Sequence, residues 1–304
     1  MHVTRLPQIS GYRWQDRGSQ SRRSGSPTNS KGTSMTISSA DFRDIEIVER
    51  DAWLDLYAAA PPDAAADLGL AYALKGDTAL LIMRQVDALT FNRLACLGVA
   101  SPARQEVLGE TIAAFDAVGV SNWVVQVPEG EKSLEALCNA RGLVPHSRVW
   151  AKFIRRPGVV TAQTSLEVRT IGRGHAAAFG EIAATVYGLP PGAAVWLSAI
   201  VGRPRWTCFM AFDGETPVAT AALFVDGASG WLGIGAALAT YRRRGAQSAL
   251  LAARITYATA GGVRILTTET GVPHPGEPGP SYGNIQRAGF NIAYLRPNFC
   301  RPAG

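Results

Sequence analysis

The chain marks off its own structure twice at nearly the same interval. A glycine stops a helical stretch at Gly119 and again at Gly262, and Arg141-Gly142-Leu143 is echoed by Ala288-Gly289-Phe290, so the two marks recur 143 and 147 residues apart. The difference is the size of one loop insertion, and a period of about 145 residues points to an internal duplication. Each copy is then an ordinary domain of roughly 130 residues, and a chain of 304 residues holds two.

In the first copy, residues 70–73, 79–84 and 91–99 read as strands, and 102–118 as a helix with Pro102 in its first turn and Gly119 at its end. A strand at 123–127, a short helix at 132–140 and a closing strand at 149–154 follow, and 156–165, with Pro157 and Gly158, reads as a linker. The second copy opens with a strand at 166–171, helices at 174–187 and 192–201, and strands at 207–212, 218–225 and 231–239. A helix at 244–260 then places Ala246, Ala249, Leu250, Ala253 and Tyr257 on one face. A strand at 264–268, a short helix at 281–288 and a last strand at 292–296 complete it.

Charge adds little to function beyond the first 34 residues. Of the net +6, residues 1–34 carry +5: six basic side chains, Arg22 and Arg23 among them, against Asp16 alone. The remainder has 24 basic and 23 acidic residues, so it has no general pull toward nucleic acid. The 1–34 segment is rich in Ser, Gly and Arg without apolar periodicity and is expected to be a disordered tail. A vector-derived or upstream-start extension with Met35 as the native first residue is one reading, and a nucleic-acid-binding arm the other. The apolar stretch at 227–241 is 15 residues long, short of the ~20 that span a bilayer, so no membrane partner is expected. Cys96, Cys138, Cys208 and Cys300 lie far apart with no metal-ligand spacing, which fits a reducing cytoplasm and no metal.

The most informative stretch is Tyr241-Arg242-Arg243-Arg244-Gly245-Ala246-Gln247-Ser248, directly after an apolar strand. A strand that enters a basic turn with a glycine and then a helix aims the first free helical amides, and the positive end of the helix dipole, at whatever lies above the turn. That arrangement is an anion cradle. The turn resembles the (Q/R)-x-x-G-x-(G/A) pyrophosphate loop of the GCN5-related N-acetyltransferase (GNAT) superfamily, with Arg242 and Gly245 at the first two fixed positions and Gln247 where Gly or Ala is usual. The stretch from Ser281 through Asn284 to Gly289-Phe290 resembles the helix that closes such folds, with Pro278 at the early asparagine position.

The resemblance implies an α/β chain with two GNAT-like domains, 35–157 and 166–304, each a mixed, mostly antiparallel twisted sheet flanked by helices. It implies acetyl-CoA as cosubstrate. Backbone groups of Gly235, Ala236 and Ala237 would pair with the pantetheine arm like an added strand. Arg242, Arg243, Arg244, Gly245, Ala246 and Gln247 would hold the pyrophosphate, with Ser281 and Asn284 of the closing helix beside it. The activity implied is acetyl transfer to a primary amine of a small molecule; the alternative is a non-catalytic acyl-CoA-binding or regulatory protein. A homodimer is compatible with either.

The equivalent turn of the first copy, residues 100–107, has no glycine and carries Glu106 in the first helical turn, where a carboxylate repels phosphate. The first copy is therefore expected to be a degenerate partner that binds no coenzyme, and only the second is expected to splay its central strands.

Amine acetylation needs a base for the incoming ammonium and often an acid for the leaving thiolate. Glu269, at the end of the strand after the long helix, is the candidate base. The resemblance puts a tyrosine acid where this chain has Ile285, leaving Tyr282 and Tyr294 as substitutes. His274 is a loop histidine near the mouth, and Trp196 and Trp206 either line an acceptor pocket or fill core. Gly233-Ile234-Gly235 lacks the third glycine of a dinucleotide fingerprint, and no P-loop, nucleophile elbow or HExxH helix occurs.

Overall fold

The computed structural model of the chain describes residues 37–302 apart from 275 and 278. The 1–34 tail and Pro278 lie outside the described residues.

The first element is a long helix that the sequence reading did not anticipate. Helix α1 (Ser39–Ala58) starts where the Ser38 side chain accepts the Asp41 N–H at 3.1 Å, a side-chain N-cap. Then come α2 (Pro62–Leu68), β1 (Leu70–Lys75), β2 (Thr78–Met83), β3 (Arg93–Ala95), α3 (Gln105–Val118), β4 (Val124–Gln126), α4 (Lys132–Ala140), β5 (Val144–Pro145) and β6 (Trp150–Arg155). The second half contains β7 (Glu167–Thr170), α5 (Ala176–Tyr187), α6 (Gly192–Ser198), β8 (Trp206–Asp213), β9 (Thr216–Asp226), β10 (Ser229–Ala237), α7 (Ala246–Ala260), β11 (Ile265–Gly271), α8 (Pro280–Arg287), β12 (Asn291–Arg296) and β13 (Asn298–Cys300).

Two sheets result, in the orders β1-β2-β3-β4-β13-β5 and β7-β8-β9-β10-β11-β6-β12. Leaving β7 aside, they match strand for strand. Each runs antiparallel, antiparallel, parallel, antiparallel, antiparallel, with β3 beside β4 and β10 beside β11 as the one parallel pair. The duplication is thus visible in the sheets.

Each half also lends a strand to the other. β6, which the sequence placed as the closing strand of the first half, lies between β11 and β12. In the matching slot of the first sheet, between β4 and β5, lies β13, from the far end of the second half. The ranges 35–157 and 166–304 therefore supply most of one sheet each and one strand of the other. Three residues after Pro297 carry too little alternation to announce a strand, which is why β13 was missed.

The core follows the same plan. Helices α7 and α8 cover one face of the second sheet, with Leu250, Leu251, Ile255 and Phe290 packed on Phe209, Leu223 and Leu266. The other face is shared: Trp53 and Leu56 of α1 join Phe179, Trp196, Phe224 and Trp231 with Leu81 and Met83 of the first sheet in one cluster. Helices α3 and α4 enclose a third cluster around Phe115 and Trp123.

Both parallel pairs are short. β3 and β4 stay in register at Arg93↔Val124 and Leu94↔Val125, and β10 and β11 from Ser229↔Ile265 to Trp231↔Thr267. Just beyond, each leaving strand has a non-glycine residue in the left-handed region, Cys96 at φ 63° and Ile234 at φ 52°. The fork expected only in the second half begins in both. Helix α3 starts at Gln105 rather than 102 because Arg104 is still extended at φ −104°, ψ 129°.

Candidate active site at the fork of the second sheet

Among the described residues β10 has no strand on its outer side past Trp231: its pairing with β11 ends at Trp231↔Thr267, while β11 runs on beside β6 as far as Gly271↔Trp150. The Thr268 hydroxyl bridges the start of the fork by donating to the Leu232 carbonyl at 2.8 Å. From Gly233 to Ala237 the outer edge of β10 faces no strand among the described residues, which leaves Gly235, Ala236 and Ala237 on an open backbone edge there.

The inner edge of the same segment is bulged. Ile234 and Gly235 fall between the register pairs Gly233↔Ala222 and Ala236↔Thr220, opposite a single residue of β9. Side chains from three elements hold its carbonyls. Arg254 of α7 donates through Nη1 to Gly233 O and Ala222 O, each at 3.2 Å, Thr220 of β9 reaches Ile234 O at 3.4 Å, and Tyr187 of α5 reaches Gly235 O at 3.2 Å. In a trans peptide the C=O and the following N–H point in opposite directions. Drawing the carbonyls of Gly233 and Ile234 toward β9 therefore turns the N–H groups of Ile234 and Gly235 toward the open fork. Adjacent amides aimed the same way favour a negative oxygen.

Beyond β10 the chain makes one 3-10 turn at Ala239–Tyr241 and enters α7 through Gly245. Gly245 has φ 82°, and a Cβ there would lie 2.5 Å from the Gln163 carbonyl oxygen. The close approach that requires glycine is made by the linker, whose Thr164 hydroxyl donates to Arg244 O at 2.7 Å. The three arginines differ. Arg244 is turned back onto Asp213 in a bidentate pair of 2.7 and 3.0 Å and stacks over Tyr241. Arg242 and Arg243 are exposed and make no ion pair among the described residues. Gln247, in the first turn of α7, accepts from Asn284 of α8 at 2.5 Å, so the residue that departs from the family pattern ties the two helices together. Ser281 is half-buried in the first turn of α8.

The candidate acid and base residues separate. Tyr282 packs edge-on against Phe153, the register partner of Thr268, and so lies on the α7–α8 side of the fork; partial burial raises its phenol. Glu269 and Tyr294 lie elsewhere, in a buried charge network at the junction of the two sheets. Glu269 accepts from Arg93 and Arg296, each at 2.9 Å, so both its oxygens are engaged. Arg296 also bonds Glu49 at 3.0 Å and Gln126 at 3.1 Å, Lys152 bonds Glu49, and Tyr294 donates to Glu46 at 2.5 Å. Burial raises the Glu49 carboxyl, but Arg296, Lys152 and Arg93 outweigh it and hold the group well below the usual range. Burial likewise opposes the charge on Arg296, and Glu46, Glu49 and Glu269 overcome it. For Tyr294, burial and the Glu46 carboxylate both push the phenol far up. The network holds three cations and three carboxylates contributed by both halves.

Trp196 and Trp206 are buried, their indoles donating to Leu56 O and to Asp55, each at 2.7 Å, which ties α1 to the second half. His274 is exposed in the loop before α8. The residues sequence reasoning missed are Glu46 and Glu49, on a helix it did not draw, and Arg254. The signal for Arg254 was present: it falls in the i+4 row Ala246, Leu250, Arg254, Ala258, a lone cation in a buried stripe. Tyr257, expected on that face, is 48% exposed, because the stripe is set by Leu251, Ile255 and Ala258.

No protein-family model and no curated protein matches the chain by sequence. By structure it is similar to a GCN5-related N-acetyltransferase from Kribbella flavida, with a TM-score of 0.58 at 17% identity over 86% of this chain and 96% of that one. It is also similar to a tandem GNAT protein from the clavulanic acid biosynthesis pathway, TM-score 0.52 at 17% identity over 84% and 94%. A third is a GCN5-related N-acetyltransferase from Sphaerobacter thermophilus, TM-score 0.52 at 19% identity over 66% and 67%. The chain therefore has the GNAT fold, built twice in tandem. No described helix is long and apolar enough to cross a membrane.

Proposed function

We propose that the protein is an acyltransferase that takes acetyl-CoA at the fork of the second sheet and passes the acetyl group to a primary amine of a small molecule. The observation that carries this reading is the sequence of features along one strand: an open backbone edge from Gly233 to Ala237, two amides turned into the fork, and then a helix N-terminus flanked by two arginines that make no ion pair among the described residues. An extended amide-bearing arm pairs with the edge, and a pyrophosphate sits at the start of α7 between Arg242 and Arg243. The thioester carbonyl then meets the Ile234 and Gly235 amides. The neutral amine nitrogen attacks the carbonyl carbon, the negative charge collects on the carbonyl oxygen, the nitrogen gives up its surplus proton to water, and the carbon–sulfur bond breaks as the carbonyl re-forms. On this reading Tyr282, protonated at neutral pH and on the α7–α8 side of the fork, is the group that returns a proton to the leaving thiolate.

A second reading, acyl-CoA binding without turnover, is favoured by one fact: both oxygens of Glu269 are held by guanidinium groups. Calorimetry with acetyl-CoA followed by a thiol-release assay across small amines separates the two. Binding with turnover supports the enzyme, binding without turnover supports the second reading, and absence of binding sinks both.

A further inference from the structure

Arg254 is only 3% exposed and makes no ion pair among the described residues. Its guanidinium donates through Nε to Leu250 O at 3.0 Å and through Nη1 to Ala222 O and Gly233 O. The one titratable group whose charge acts on it is the phenol of Tyr187, which is neutral at pH 7. Burial pushes the guanidinium down to about 10, so it remains a cation at neutral pH. A buried charge without a counter-charge is costly, and an apolar side chain of similar volume is often the more stable choice at such a site. Elsewhere in this protein buried cations are neutralised: Arg93, Lys152 and Arg296 all face carboxylates. Arg254 is the exception, and it sits against the bulge.

Its position fits a charge held for something that arrives later. The two carbonyls it grips are the register pair at which the β9–β10 ladder breaks, and one of them belongs to the peptide that turns the Ile234 N–H into the fork. We propose that Arg254 is a positioning residue of the acyl-transfer site, which fixes the bulge and stands an unneutralised positive charge behind it, toward the oxygen or sulfur that becomes negative. This rests on the acetyl-CoA reading above. A positive charge so placed favours the thiolate form of bound coenzyme A over the thiol.

The test is a pH titration of the coenzyme A thiol, followed by thiolate absorbance, with the full chain saturated by coenzyme A. It is run on wild type, Arg254→Met, Arg254→Gln and Arg254→Lys, with dissociation constants by calorimetry and melting curves as the check on folding. The thiol midpoint should rise by about one pH unit in Arg254→Met and in Arg254→Gln and stay near wild type in Arg254→Lys. Affinity should change by less than about threefold, since the pyrophosphate is held elsewhere. Arg254→Gln can still donate hydrogen bonds, so a wild-type midpoint in that variant overturns the charge role, and it carries the measurement if Arg254→Met does not fold. Wild type that binds no coenzyme A overturns the acyltransferase reading along with this one. Normal binding with an unshifted midpoint in the neutral variants overturns this one alone.

Discussion

The two halves leave a parallel strand pair by the same backbone device and then use the opening differently. In the first, β3 stops after three residues, the Cys96 thiol bonds back to Glu46 O at 3.3 Å, and Arg93 fills the junction with an ion pair to Glu269. The following helix, uncapped by a side chain as α7 is, carries Glu106 in its first turn. In the second, β10 continues to Ala237, its bulge carbonyls take side-chain donors, and its helix begins beside Arg242 and Arg243, which make no ion pair among the described residues. A left-handed residue after a fork makes no ligand site by itself. What decides is which peptide groups the neighbouring side chains satisfy and which they leave facing outward.

If the first fork has become a joint, breaking its charges should cost the whole molecule. Arg296→Met leaves Glu49 and Glu269 short of a partner in a buried setting and should destabilise the protein by about 3–5 kcal/mol in urea unfolding. A loss below about 1 kcal/mol would mean that the network does not join the halves. The matching assault on the second fork should act on binding instead. The double variant Arg242→Glu, Arg243→Glu should weaken acetyl-CoA more than about a hundredfold, about 2.8 kcal/mol, while Arg104→Glu in the first half changes affinity less than about twofold. Equal losses would place the coenzyme in the wrong half.

The glycines sharpen the contrast. Gly98 and Gly245 share φ 82°, but a Cβ at Gly98 comes no nearer than 3.3 Å to Ala103 Cβ, whereas at Gly245 it meets the Gln163 backbone oxygen at 2.5 Å. Thermal unfolding should show Gly245→Ala losing about 2 kcal/mol and Gly98→Ala about 1 kcal/mol. The smallest effect is a slope. Because the folded Glu49 carboxyl lies below its unfolded value, its contribution is complete above the unfolded pKa of about 4.3 and drains as the pH falls from there toward the folded value. Stability should therefore decline on acidification below about pH 4.3, and Glu49→Gln should flatten that decline, measured as denaturant midpoints across the range.

Much of the second half was legible because its signals are local. A long apolar strand, a basic glycine turn and a helix stop are read from neighbours in sequence, and all three stand where the pattern put them. The first half was harder. Helix α1 hides because Glu46, Glu49 and Arg50 sit on its buried side among Ile45, Val48 and Trp53, which blurs any apolar face until the partners of the two glutamates from β6 and β12, and of Arg50 at Asp51 and Asp77, are known. Glu269 looked like a free carboxylate at a strand end for the same reason: Arg93 is 176 residues away in sequence. Pairings at that range carry no periodicity, and neither does the exchange of β6 and β13.

That exchange also sets an order of events during synthesis. The slot between β4 and β5 is filled by Asn298–Cys300, so the first sheet cannot close while the ribosome has made only the first half, and β6 waits for β11 and β12 before it has neighbours. The N-terminal half thus leaves the ribosome with an unfilled strand position and an unpaired strand, the surfaces most open to wrong partners. Completion of the first sheet is therefore a late commitment, and a chain that ends before residue 298 leaves the slot between β4 and β5 unfilled however far the second sheet has progressed.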